Sequence, residues 1–185
     1  MDANETIEML FYALEKGEPI ALSVSRPDTA VLERNGFSKP EDAVNGAYVF
    51  YRTQNPDNRT QDKQIVLVVS GGMTLENTMQ AVPELEEHGL NVKVVAVTSP
   101  QLFEELRKNN PQKANEIFSD EDRAYAVTIH NGWKGFLYPF LLPADYEKRT
   151  IAIDTYLKSG NPQEVYQLAG LTAEDIFKKI LSSKL

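Results

Sequence analysis

The stretch IVLVVSGGMTLENTMQAVPELEEHGLNVKVVAV, residues 65–97, decides the fold. Ile65 to Ser70 is an apolar run without polar alternation, the pattern of a strand covered on both faces. Gly71 and Gly72 follow as a tight turn, and Leu75, Met79, Val82 and Leu85 then recur at helical spacing. Pro83 lies inside that helix and is expected to kink or split it. VKVVAV is a second buried strand. Two buried strands joined by an amphipathic helix specify a parallel pair with its crossover.

The same grammar continues downstream. SPQLFEELRKN starts a second helix, AYAVTI is a third strand, GWKGFLYPFLL is expected to be helical, and TIAID is a fourth strand. A turn on Ser159-Gly160-Asn161-Pro162 leads to two helices separated by Gly170. Thr172 and Asp175 box the start of the last one, whose Ile176, Phe177, Ile180 and Leu181 form its buried face. Upstream, Asp2 and Glu5 form a capping box for a helix carrying Ile7, Leu10, Phe11 and Leu14. Gly17 ends that helix and PIALSVS, Pro19–Ser25, reads as a strand. AYVFY is a further strand, and the polar RTQNPDNRTQDKQ, Arg52–Gln64, reads as a hairpin loop or surface linker. The expectation is an α/β fold with a mostly parallel sheet and helices on both faces, Rossmann-like and three-layered. A helix–strand remnant of a second α/β domain precedes it. The division falls near residue 60, giving units 1–60 and 61–185.

Composition narrows the function. Apolar residues make up 42% of 185, enough for a packed core, and a formal charge of −8 argues against nucleic acid or an anionic membrane as partner. With no cysteine there is no disulfide, thiol nucleophile or cysteine-bound metal, which fits a reducing cytoplasm. No segment approaches the ~18 apolar residues of a membrane span. The terminal Ser183-Lys184-Leu185 matches a peroxisomal address, an alternative to the cytoplasm.

Few residues carry chemistry. The Gly71-Gly72 turn after a buried strand offers backbone N–H groups to a small anion, although neither GxGxxG nor P-loop spacing is present and the bland reading is a tight turn. His130, in TIHNGWKGF, sits at a strand end, where open α/β sheets bind ligands, yet has no Ser or Cys nucleophile beside it. His88 precedes Gly89 at a helix C-terminus, a structural position. Arg26 follows ALSVS at the end of the expected strand, with Ser23 and Ser25 nearby. Its guanidinium suits a phosphate or carboxylate, or equally a surface ion pair. The acids form solvated faces without metal-ligand spacing, so no metal and no catalytic residue is assigned.

The order of segments resembles the transketolase family. DANETIEMLFYALEKGEPIALSVSRPDTAVL is similar to the close of its pyrimidine-binding domain, a D-A-N-E-T helix leading to a strand that ends in Ser-Arg. GAYVF with the 65–105 stretch resembles its linker and C-terminal domain, and IDTYLKSGNPQEVYQLAGLTAEDIFKKIL its ending. The resemblance implies a parent enzyme that transfers two-carbon ketol units between sugar phosphates, as in the pentose phosphate pathway, using thiamine diphosphate and Mg²⁺. It places Arg26 where the family binds substrate phosphate, although Pro27 replaces the usual polar residue. Gly71-Gly72-Met73 stands where the family commonly has Gly-Ser-Glu, and His130 inherits no role. The family's cofactor-binding motifs are absent from this sequence. The expectation is a C-terminal fragment or split-enzyme piece that binds no cofactor and is inactive alone. Its partners would be the N-terminal and pyrimidine-binding domains, its assembly a homodimer, and its eventual ligand a sugar phosphate. The competing expectation is a stand-alone small-anion or nucleotide-binding regulatory module. An independent enzyme using His130 ranks last.

Overall fold

The computed structural model describes residues 2–54 and 64–182. Five strands, β1 (Ala47–Arg52), β2 (Gln64–Ser70), β3 (Asn91–Val97), β4 (Ala126–His130) and β5 (Thr150–Ile151), form one sheet in the order β1-β3-β2-β4-β5. β2 pairs in parallel with β3 and β4, and β4 with β5, while the edge strand β1 runs antiparallel to β3. The sheet is therefore the mostly parallel one expected, and residues 47–52 belong to it.

Alternation along β2 shows how both faces are covered. Ile65, Leu67 and Val69 pack with Leu75, Val82 and Leu85 of α2 (Gly72–Glu87) and with Ile176, Phe177 and Ile180 of α6 (Ala173–Ser182). Val66 and Val68 point the other way, onto Phe103 of α3 (Pro100–Asn109) and Ile117 of α4 (Pro111–Ile117). On that side Phe140 stacks on Phe103 with centroids 5.4 Å apart and meets Phe118 edge-on at 5.2 Å. Such pairs add about 0.5–1.5 kcal/mol beyond the apolar area they bury. A buried ion pair, Lys93 Nζ to Asp122 Oδ2 at 2.6 Å, ties β3 to the segment before β4. Burial lowers the Lys93 pKa, opposed by the Asp122 carboxylate.

Several details differ from expectation. Pro83 does not split α2. It sits on the exposed side, where water can take the freed carbonyl, while Val82 and Leu85 hold the helix to the sheet. Lys134–Phe140 is a 3₁₀ segment rather than an α-helix, with Gly135 and Pro139 inside it interrupting α-helical bonding. α4 was not expected, although Asn110 caps it from its side chain and Pro111 opens it. Leu181 is exposed rather than buried. In the polar Arg52–Gln64 stretch, residues 55–63 lie outside the described residues, as do Ser183, Lys184 and Leu185.

The N-terminal helix α1 (Ala3–Lys16) is capped as expected. The Asp2 carboxylate accepts from the N–H groups of Asn4 and Glu5, and the Asp2 N–H donates back to Glu5 Oε2 at 2.9 Å. Arg34 closes the cluster, 2.9 Å from Asp2 Oδ2 and 3.3 Å from Glu5 Oε1, with all three side chains buried. Gly17 ends the helix in the left-handed region. The strand expected over Pro19–Ser25 does not form; the segment has no regular structure, because no neighbouring strand offers it a ladder. α5 (Pro162–Ala169) and α6 follow the Gly160-Asn161 turn and are separated by Gly170, as expected.

Candidate functional site

β2 leads to β3 on one side, and β4 lies on the other side of β2. The connections that leave β2 and β3 cover opposite faces of the sheet. That arrangement opens a crevice beyond the carboxyl ends of the strands, where α/β sheets bind ligands. Here it is a cleft of about 1030 Å³, floored by Ser70-Gly71-Gly72 after β2, Thr98 and Ser99 after β3, and His130-Asn131 after β4. Its far wall is α1 and the irregular segment that follows it.

At the β2 end, Gly71 adopts φ 103°, a conformation open to glycine and strained for any other residue. A Cβ there would also lie 2.8 Å from Asn131 Oδ1 and 3.2 Å from Thr74 Oγ1. The turn therefore brings the α2 N-terminus to the cleft without a side-chain cap. Asn131 presents its carbonyl oxygen to this turn while its Nδ2 donates to the Tyr166 hydroxyl at 3.0 Å. Thr74 Oγ1 is buried and has no hydrogen-bond partner. Across the cleft, Ser99 caps α3, its Oγ accepting from the Leu102 N–H at 3.2 Å.

His130 forms the last rung of β4 against Ser70. Its Nδ1–H donates to the Ser70 carbonyl at 3.3 Å, and its ring stacks on Phe136 with centroids 4.7 Å apart. Burial lowers its pKa below the ordinary 6.5, and the bond to Ser70 only partly opposes this, so the imidazole is neutral at pH 7. No serine or threonine hydroxyl bonds to it among the described residues, so the geometry supplies no nucleophile–base pair. His88 lies elsewhere, its Nδ1 donating to the Glu84 carbonyl at the end of α2 and its ring edge-on to Phe177.

Arg26 stands apart from Gly71, Gly72 and His130, which all line the cleft. It is exposed on the 19–29 segment, between Ser25 and Pro27, which do line it. The Ser25 hydroxyl reaches the Pro27 carbonyl at 3.3 Å and bends the chain there. Among the described residues no lysine or arginine lines the cleft, so backbone N–H groups are its main attraction for an anion. Nor do three metal-ligating side chains converge among the described residues. Asn131, Thr98 and Tyr166 were not anticipated. The one signal for Thr98 and Asn131 was their place just after strands; Tyr166, on α5, gave none.

Residues 46–172 match the model of the transketolase-like C-terminal domain family. The chain is 23% identical over 181 residues to a transketolase of Aquifex aeolicus, aligning 97% of this chain with 24% of that protein. It is 23% identical over 177 residues to transketolase 2 of Saccharomyces cerevisiae, across 95% of this chain and 23% of that one. The chain thus spans about a quarter of the length of the curated relatives it matches. Among solved structures, a split-gene transketolase described as an inactive beta4 tetramer superposes with a TM-score of 0.66 at 19% identity, over 98% of this chain and 55% of that one. The transketolase of Campylobacter jejuni superposes with a TM-score of 0.56 at 21% identity, over 76% of this chain and 19% of that one. At these identities the structures show a shared fold.

Proposed function

Since the chain belongs to the transketolase-like C-terminal domain family, we propose that it is the C-terminal, non-catalytic part of a thiamine-diphosphate-dependent transferase that moves ketol units between sugar phosphates. The observation that carries this reading is α1. Its apolar face is bare, with Ile7, Leu10, Phe11 and Leu14 each about half exposed or more, and an apolar segment without a sheet partner follows it. A helix and an unpaired strand sequence of this kind complete a neighbouring α/β unit, here the rest of a pyrimidine-binding domain. The region before β1 reads as the end of that domain with its linker, and β1 with the remainder as the C-terminal domain.

The described residues do not fit thiamine diphosphate with Mg²⁺, because no three carboxylate or imidazole side chains converge among them to hold the metal and its diphosphate. Those groups belong to the upstream domains, and this chain supports their assembly as a homodimer in the cytoplasm. Arg26, exposed at the end of the apolar segment, presents its guanidinium to the phosphate of the sugar substrate once that assembly forms. The likeness to a split-gene transketolase that is inactive as a beta4 tetramer supports a reading in which such a piece does not turn over by itself. The test is reconstitution with a protein supplying the upstream domains. Arg26→Ala should raise the sugar-phosphate KM about tenfold or more while leaving complex formation unchanged. Equal KM values for both proteins would remove Arg26 from the site.

A second reading, a stand-alone small-anion or nucleotide-binding module, is favoured by the uncapped α2 N-terminus at Gly71 and Gly72 opening on the cleft. Inorganic phosphate or a nucleotide should then raise the melting temperature, and Gly72→Glu should abolish the rise.

A further inference from the structure

A second surface lies outside the cleft, around the 3₁₀ segment after β4, and owes nothing to the functional reading above. Trp133 is 70% exposed, unusual for an indole that shields no core. It is nevertheless held in place, since its six-membered ring closes over Gly135 so tightly that a Cβ there would lie 2.3 Å from it. Beside it, Tyr138 lies with its ring centroid 6.4 Å from the indole, tilted by 48°. Tyr138 in turn stacks on Tyr146 at 4.0 Å with their planes 5° apart. Three charged heads lie near the Tyr138 phenol, with Lys134 Nζ 2.9 Å from Glu147 Oε2 and 3.3 Å from Asp154 Oδ2. Partial burial and the Glu147 carboxylate raise the Tyr138 pKa, so its phenol keeps a proton to donate.

We propose that this patch binds a sugar ring, stacked on the free face of Trp133 with its hydroxyls hydrogen-bonded by Lys134, Glu147 and Asp154. The C–H face of a sugar is apolar and slightly positive, and it meets the negative face of the indole quadrupole. Carboxylates accept from sugar hydroxyls and the ammonium donates to them, in charge-assisted bonds about twice as strong as neutral ones. Two carboxylates against one ammonium leave the rim with a net negative charge, which turns away phosphates and other anions and favours an uncharged sugar. The patch is also small. A stable protein interface takes roughly 800 Å² from each partner. Three aromatic side chains of at most roughly 250 Å² each, partly covering one another, do not reach it.

The chain has one tryptophan, so its emission reports on this patch directly. Titration of the full chain with glucose or maltose should change that emission saturably in the millimolar range, and glycerol should not. Glu147→Gln and Asp154→Asn, both at exposed side chains, should each weaken the response about tenfold. Gly135→Ala should displace the indole and abolish the response while the far-ultraviolet circular dichroism stays unchanged. A response that is absent, linear, or the same with glycerol would overturn the proposal. So would an emission shift that follows protein concentration instead of sugar, which would make the patch a contact between copies.

Discussion

Two buried positions show how single residues decide whether the N-terminal part stays attached. Glu5 is buried beside Asp2 and Arg34, and burial raises its pKa above the ordinary 4.5. A carboxyl whose folded pKa is raised contributes stability that is fully present below its unfolded pKa and lost as pH rises through the folded value. The melting temperature of the chain should therefore fall relative to that of Glu5→Gln as pH rises from 4 through the raised pKa, then run parallel to it. A constant difference across that range would mean that Glu5 is not held protonated by burial. Gly46 is a second such position, at φ 80°, where a Cβ would lie 2.2 Å from the Phe103 backbone nitrogen. Since backbone cannot move aside, Gly46→Ala should cost more than about 2 kcal/mol in urea unfolding. The Asp2–Glu5 cap was legible from residue spacing alone, whereas Arg34 was not, since a partner 32 positions away leaves no local signal.

Among the elements, continuous apolar runs found β2, β3 and β4 because both faces of a buried strand obey the same demand. Pairing direction is not written in such runs, so the antiparallel placing of β1 came only from the structure. Pro19–Ser25 has strand composition and no strand, because composition cannot supply the neighbour that a ladder needs. In α2, Pro83 was read as a breaker, and tertiary contact through Val82 and Leu85 overrode it. Pro83→Ala should restore the helical bond and raise stability by about 1–2 kcal/mol, after allowance for the looser unfolded chain. In α1, the bare apolar face predicts that the chain self-associates at micromolar concentration by analytical ultracentrifugation. Phe11→Glu should shift it towards monomer and remove the concentration dependence of its melting temperature, with the far-ultraviolet circular dichroism unchanged because Phe11 is exposed. A wild-type chain that stays monomeric would leave that face without a role.

For the whole molecule, the candidate site was half legible. Gly71, Gly72 and His130 meet at one cleft because strand ends converge at a switch point, a property of topology that their sequence positions already carried. Arg26 does not join them, because the segment that holds it is ordered by no sheet in this chain. As proposed, this chain completes a thiamine-diphosphate enzyme and holds no cofactor by itself. The most direct test is isothermal titration with thiamine diphosphate and Mg²⁺, run on the chain alone and on its complex with a protein that supplies the upstream transketolase domains. The predicted result is saturable binding by the complex and none by the chain. Binding by the chain alone, or none by an assembled complex, would contradict it.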